Sequence, residues 1–369
     1  MLRYLQAQAE ADLKEKMVFI GGPRQVGKTT LARVVVPGAE SYLNWDIPAH
    51  RARILTRELP DTDAWAFDEL HKYRRWRAFL KGLYDEFRTE RRILVSGSAR
   101  LDLYRFGGDS LQGRYHYLRL HPLSLAELRT ETSGDVDALL TLGGFPEPFL
   151  GGSAARARRW SVEYRSRLIR DDVTSLESVQ DLGMMERLLL ALPERVGSPL
   201  SRNALREDLE LNHQTVSRWL DIFERLYAIF RLAPFGAPRI RAVKKEQKHY
   251  HFDWAIVPDE GPRFENMIAS HLLKWVHFQV DTTGRDLELR YFRDVDGREV
   301  DFVVVERRKP ILLIEAKVAA ESASPALRYL KVRFPAAEAY QLHLRGARES
   351  VTAEKVHLWQ AARFLRTLT

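Results

Sequence analysis

The chain has 369 residues, 45% hydrophobic and 29% charged, which suffices for two or three domains with cores of their own and excludes long disorder. It has no cysteine, so disulfides and thiolate zinc or iron–sulfur centres are excluded, and a reducing compartment fits. The formal charge of +8, carried more by arginine than by lysine, favours polyanionic partners, although an arginine-rich codon usage produces the same surplus.

The opening "MLRYLQAQAEADLKEK" mixes charged and apolar residues, unlike a secretory signal, and no run reaches the ~18 apolar residues of a membrane span. The chain therefore reads as soluble and cytoplasmic, with no membrane partner. Residues 17–20, "MVFI", read as a short strand that runs directly into "GGPRQVGKTT". Gly22, Gly27, Lys28 and Thr29 fit G-x-x-x-x-G-K-[ST] at a strand-to-helix junction, where the pattern has a mechanism. The loop Gly22, Pro23, Arg24, Gln25, Val26 and Gly27, with Lys28, Thr29 and Thr30, is expected to bind ATP. Its glycines let backbone N–H groups wrap the phosphates, Lys28 reaches the β and γ oxygens, and the Thr29 hydroxyl takes Mg²⁺.

Downstream, "AWAFDEL" is an apolar strand ending in Asp68-Glu69. One carboxylate there can stand behind Mg²⁺ and the other can polarise the attacking water. "RRILVSGSAR" is a further strand, and Ser96 at its tip either touches the γ-phosphate and the water or caps the next helix. "SYLNWD" (41–46) and "RYHYLRL" (114–120) supply two more strands. Strands alternating with helices imply a parallel sheet covered on both faces. Arg114, opening the last strand, has two readings: an arginine finger aimed at a neighbouring subunit's γ-phosphate, or an ordinary surface ion pair.

"GGFPEPFLGGSAARA" (143–157) is dense in glycine and proline and is expected to be a junction. Helical patterns come after it. In "SPLSRNALREDLELNHQTVSRWLDIFERLYAIF" a helix opening on Ser201, a short turn and a longer helix from near Gln214 have helix-turn-helix spacing. Val216, Leu220, Phe223 and Leu226 form its buried stripe, leaving His213, Gln214, Ser217 and Arg218 to face DNA or to serve a protein scaffold. The next stretch carries Arg239, Arg241, Lys244, Lys245 and Lys248, either a wing on the phosphate backbone or a solvated charge run.

"REVDFVVVERRKPILLIEAK" (298–317) reads as a β-hairpin. With a turn centred on Arg308, Asp301 lies directly across from Glu315 and Lys317 is two residues on, on the same face. Carboxylates ~5 Å apart can share a divalent cation, with Lys317 steadying a metal-bound hydroxide or the phosphorane. Glu265, on the apolar stripe of "RFENMIASHLL", either joins that metal site or faces its own helix dipole.

Glu265, Asp301 and the Glu315-x-Lys317 pair resemble the PD-(D/E)xK nuclease core, although "EVD" lacks the proline usual before the first aspartate. With "GGPRQVGKTTLA", "FDELHKY", "VSGSARL", "LQGRYHYLRLHPLSLAEL", "GGFPEP" and "KHYHFDWAIV", nearly the whole chain resembles bacterial and archaeal AAA-type ATPases with a C-terminal domain of that nuclease-like fold. The resemblance implies an α/β chain in three parts. These are an AAA-like P-loop parallel-sheet domain (1–150), a helical and winged-helix segment (151–245) and a PD-(D/E)xK nuclease-like domain (246–369). It also implies Lys28, Thr29, Asp68 and Glu69 at ATP, Arg114 as a trans finger, and Glu265, Asp301, Glu315 and Lys317 at a second site using Mg²⁺ or Mn²⁺. The expected activity is ATP-driven remodelling or processing of branched or forked DNA by a homo-oligomer, a hexamer among the options. The alternatives are a nucleotide-switched signalling or defence ATPase whose C-terminal domain only binds protein or nucleic acid, and a DNA-binding regulator with a relic nuclease fold.

Overall fold

The structure is a computed structural model that describes residues 2–97, 111–128, 134–173, 181–236, 246–346 and 349–368. The chain divides into two compact units, Met1–Pro122 and Leu123–Thr369. Among the described residues no helix is long and apolar enough to cross a membrane.

The first unit is a five-stranded parallel sheet. Its strands are β1 (Met17–Gly21), β2 (Tyr42–Asn44), β3 (Ala64–Asp68), β4 (Arg92–Ser96) and β5 (Tyr115–Arg119), in the order β2-β3-β4-β1-β5. Among the described residues, four helices accompany them: α1 (Gln6–Asp12), α2 (Lys28–Val35), α3 (Pro48–Thr56) and α4 (Trp76–Phe87). Every residue of β1 and β3 is buried, the signature of strands covered on both faces. Met17, Phe19, Trp65, Phe67, Ile93 and Val95 point to one side, where they pack with Ile54 of α3 and Leu80 and Leu83 of α4. Val18, Ile20, Ala66 and Leu94 alternate to the other side and are equally buried. The register sets Asn44 beside Asp68, Asp68 beside Ser96, and Ser96 beside Ile20. The carboxyl ends of four strands thus meet in one row at the start of the glycine-rich loop, the place where ligands collect in an open parallel sheet.

The second unit contains helices α5 (Gly134–Leu142), α6 (Pro146–Gly151) and α7 (Ala154–Arg167), the last of which a π-helical turn extends over Leu168–Val173. The glycine- and proline-rich stretch expected as a junction is therefore helical. Pro146 stands at the first helical position, where its missing N–H costs nothing, and Gly152 at φ 63° ends the short helix. After α8 (Leu182–Ala191) come α9 (Arg202–Asp208) and α10 (His213–Arg225), then β6 (Ile229–Leu232) paired antiparallel with β7 (Lys248–His251). Ser201 caps α9 and Asn212 caps α10, each accepting from a backbone N–H in the first turn. The expected stripe Val216, Leu220, Phe223 and Leu226 is buried.

Helix α11 (Glu260–Thr283) leads into a six-stranded mixed sheet made of β8 (Leu287–Arg293), β9 (Glu299–Glu306), β10 (Lys309–Lys317), β11 (Glu338–His343), β12 (Ser350–Val351) and β13 (Val356–Gln360). Its order is β12-β13-β11-β10-β9-β8, with α12 (Pro325–Arg333) crossing between the parallel strands β10 and β11, and α13 (Ala361–Leu365) closing the chain. One face buries Val303, Val305, Leu313 and Ala339 under Leu327 and Leu330 of α12.

Candidate functional site

The glycine-rich loop takes its shape from three left-handed residues: Gly22 (φ 141°), Gln25 (φ 58°) and Gly27 (φ 98°), the last being the residue before α2. A Cβ on Gly22 would lie 2.3 Å from the Leu120 carbonyl oxygen, so only glycine lets the loop leave β1 this close to β5. Arg3, which no sequence motif marks, holds the loop from behind. Its guanidinium donates to the Val26 carbonyl at 2.6 Å and to the His121 carbonyl at 2.5 Å. The buried Lys28 ammonium donates to the carbonyls of Gly22 (2.9 Å) and Pro23 (2.6 Å), so its charge sits inside the loop. Arg24 is half-buried, while Gln25 and Thr30 are exposed.

Asp68 is the hub of this end of the sheet. Its Oδ2 accepts from Thr29 Oγ1 (2.7 Å) and from the Tyr42 hydroxyl (2.6 Å), and its Oδ1 accepts from Ser96 Oγ (2.8 Å). Burial, reinforced by the Asp68 carboxylate, pushes the Tyr42 hydroxyl up to about 12, so it remains a donor to Asp68 at any working pH. Lys28, Thr29, Asp68 and Ser96 thus converge, and Tyr42 joins them unforeseen because nothing near it in the chain marks it. Glu69 is left-handed (φ 55°), and its carboxylate lies 3.2 Å from Lys72 Nζ and 3.6 Å from His71 Nε2. Thr29 and Asp68 supply adjacent oxygen donors of the kind Mg²⁺ takes beside a phosphate.

Arg114 lies elsewhere. It precedes β5, whose parallel register with β1 sets Tyr115 beside Met17 and Arg119 beside Gly21. The arginine is therefore at the far end of the sheet from the loop, roughly 17 Å away along the strand direction, and it donates to Asp85 at 2.9 Å.

In the second unit, His213, Gln214 and Arg218 are exposed on α10, while Ser217 accepts a hydrogen bond from Arg202 at 3.2 Å. These residues line a shallow concavity with Asp221, Ile222 and Arg225. Arg239, Arg241, Lys244 and Lys245 lie outside the described residues. Lys248, the first residue of β7, is not solvated: it is 0% exposed.

Its ammonium sits among the carboxylates of the hairpin site. Nζ is 2.5 Å from Glu299, 3.1 Å from Glu265 and 3.6 Å from Asp301. Glu265 also accepts from the Tyr250 hydroxyl at 2.7 Å. Asp301 accepts from the Ala316 amide at 2.9 Å, and Lys317 lies 3.0 Å from Glu315. Burial, then the neighbouring Asp301, pushes the Glu265 carboxyl up to about 7 and the Glu315 carboxyl up to about 8. Burial alone would lower the Lys248 ammonium, yet Glu265, Asp301 and Glu299 hold it above its ordinary value. Asn266 fixes the geometry: its amide accepts from the His251 N–H and donates to the His251 carbonyl, both at 2.8 Å, docking α11 on β7 with Glu265 beside Lys248.

The hairpin reaches the expected neighbourhood by another route. The turn is not centred on Arg308; it comprises Arg307 and Arg308, both left-handed, with Lys309 paired to Glu306. Continued unchanged, that register would set Ile314 across from Asp301. A bulge between Pro310 and Leu312 shifts the ladder by one, so Leu313 pairs with Val303 and Ile314 with Phe302, which leaves Glu315 next to Asp301. The expected metal centre is a different matter. Among the described residues no group of three or more His, Cys, Asp or Glu side chains is arranged to hold a metal ion, and the cation found among Glu265, Glu299 and Asp301 is Lys248.

Residues 14–129 match the family model described as an AAA domain. Residues 133–259 and 260–363 match two models described as domains of unknown function (DUF8612 and DUF4143). An uncharacterized protein of Mycobacterium tuberculosis is 24% identical over 316 residues, covering 80% of this chain and 71% of that protein. An uncharacterized protein of Haemophilus influenzae is 23% identical over 276 residues, 69% of this chain and 65% of the relative. Among solved structures, the Orc1 protein of Aeropyrum pernix in complex with DNA aligns over 74% of this chain and 95% of its own, at 13% identity and a TM-score of 0.36. The parallel sheet, the phosphate loop and the family match define the first unit as an AAA-type ATPase domain.

Proposed function

We propose that the chain is a cytoplasmic, ATP-hydrolysing protein that couples its nucleotide cycle to binding and remodelling DNA, forked or branched ends included. The observation that carries the nucleotide part is the Asp68 hub, which ties Thr29 of the phosphate loop to Tyr42 of β2 and to Ser96 at the tip of β4. Mg²⁺, when bound, neutralises charge on the β- and γ-phosphate oxygens. Thr29 and Asp68 are the residues that would hold it, Lys28 binds the same oxygens directly, and Glu69 orients the attacking water. Arg114, remote from its own loop, fits a finger supplied to a neighbouring copy in a homo-oligomer, a hexamer being one such ring.

The DNA part rests on the helical and winged-helix segment together with β7, which closes it. Helix α9, a short turn and α10 are followed by the β6–β7 ribbon, the element order of a winged helix, with His213, Gln214 and Arg218 exposed at the start of the second helix. Strand cleavage by residues 246–369 is not part of this reading, because an ammonium lies where a cutting site would need Mg²⁺ or Mn²⁺. That same observation favours a second reading, a nucleotide-switched signalling or defence ATPase whose C-terminal region only makes contacts. Steady-state ATP turnover with and without forked duplex DNA separates the two. Several-fold stimulation that needs the fork or duplex supports the DNA reading, and turnover indifferent to DNA selects the switch.

A further inference from the structure

We infer that Lys248 is the resident counter-ion of the carboxylate cluster formed by Glu265, Glu299 and Asp301, standing in place of the divalent cation and joining three parts of the second unit without metal. The inference concerns this cluster alone and is independent of the nucleotide reading.

The ammonium has three N–H donors, and three carboxylates surround it: Glu299 at 2.5 Å, Glu265 at 3.1 Å and Asp301 at 3.6 Å. Three separate elements meet there, with Glu265 on α11, Glu299 and Asp301 on β9, and the lysine on β7. The root of the side chain is fixed, since Lys248 pairs with Leu232 across the β6–β7 ribbon and bridges Pro199 on its other side. The side chain is fully enclosed, and the Tyr291 ring lies 5.6 Å from Nζ. A buried charge held this way persists only when paired. A lysine supplies a compact point charge with freely turning donors, the nearest protein equivalent of a small cation. Mg²⁺ would need carboxylate oxygens at ~2.0–2.1 Å from the point the ammonium already occupies, and like charges exclude one another at that range. Lys248 and a metal are therefore alternatives, and the wild-type chain carries the lysine.

Removing the ammonium while leaving the carboxylates should convert the cluster into a metal site. The test titrates MnCl₂ into the full chain without nucleotide, following free Mn²⁺ by electron paramagnetic resonance and thermal unfolding in parallel. Wild type, Asp301→Asn, Lys248→Gln and Lys248→Gln/Asp301→Asn are compared. Expected is that wild type and Asp301→Asn bind Mn²⁺ alike, which also subtracts any metal taken by Thr29 and Asp68. Lys248→Gln should gain a site at least tenfold tighter than that background, rise by several degrees in Tm with Mn²⁺, and lose both gains on adding Asp301→Asn. A wild-type Mn²⁺ site that Asp301→Asn abolishes would overturn the inference, as would a folded Lys248→Gln that gains no site. Should Lys248→Gln not fold, the comparison of wild type with Asp301→Asn still decides.

Discussion

Replacing Asp68 with asparagine changes one atom and removes the charge on which three hydroxyls converge. Thr29 Oγ1 and Tyr42 OH donate to Oδ2, and Ser96 Oγ donates to Oδ1. Asparagine keeps one acceptor oxygen and presents an amide N–H₂ on the other side, so Ser96 must turn from donor to acceptor. The Thr29 and Tyr42 bonds become neutral ones, each weaker by about 1 kcal/mol. Loss of carboxylate burial returns part of this, leaving the first unit about 1–2 kcal/mol less stable, within reach of urea unfolding. Turnover suffers more, because the lost charge is the one placed to stand behind Mg²⁺. A deficit of about 3 kcal/mol in the transition state corresponds to roughly 100-fold in kcat. Thr29→Val should act in the same direction, and the double variant should be little worse than Asp68→Asn alone, since the two side chains serve one ion. The assay is phosphate release at saturating ATP and Mg²⁺, beside nucleotide binding read by fluorescence. A folded Asp68→Asn that turns over at close to the wild-type rate would refute the assignment of Asp68, and with it the hub as the core of the site.

Other outcomes rest on the same geometry. Lys28→Ala is expected to reduce hydrolysis to background while circular dichroism stays unchanged, because its ammonium bonds carbonyls of its own loop; near-normal turnover would remove Lys28 from the phosphate site. Arg218→Ala, on the exposed face of α10, should weaken DNA binding by about 1 kcal/mol and lower the salt slope by about one, measured by anisotropy over a salt series; affinity unchanged at every salt concentration would make α10 a scaffold helix. Asp253 is raised from 3.8 to about 6 by burial, against the Ser161 hydrogen bond and the nearby Arg165. A raised carboxyl favours folding while protonated, so its contribution is full below about pH 4 and is lost as pH rises through 6. Asp253→Asn lacks that loss, and its stability relative to wild type should grow by about 1 kcal/mol between about pH 5 and pH 7 in urea unfolding; a constant difference would count against the shift.

Much of the first unit was legible because its signals are local. A strand, a glycine loop and a helix that succeed one another in the chain must form the phosphate loop if they form anything, and an apolar strand ending in an acid declares its own tip. The stripe on α10 was equally readable, since helical period alone selects Val216, Leu220, Phe223 and Leu226. Where a conclusion depended on residues distant in sequence, the chain was silent or misleading. Arg3 says nothing of the Val26 carbonyl it holds, and "GGFPEP" looks like a break until Pro146 is seen starting a helix.

The second unit divides the same way. By itself the sequence determined that Asp301, Glu315 and Lys317 lie on one hairpin, because a strand–turn–strand brings them within reach whatever surrounds it. Tertiary structure alone decided the register, through a bulge beside Pro310 that corrects a turn one residue out of step with the expected one. It alone also decided what neutralises the acids. Lys248 ends a run of basic residues and reads as solvated, yet pairing of β7 with β6 and docking of α11 through Asn266 carry its ammonium into the carboxylates. Local sequence reports hydrophobic period and turn chemistry, whereas the environment of a charge is set by whatever long-range packing leaves around it, and the same lysine is a surface cation or a buried counter-ion accordingly.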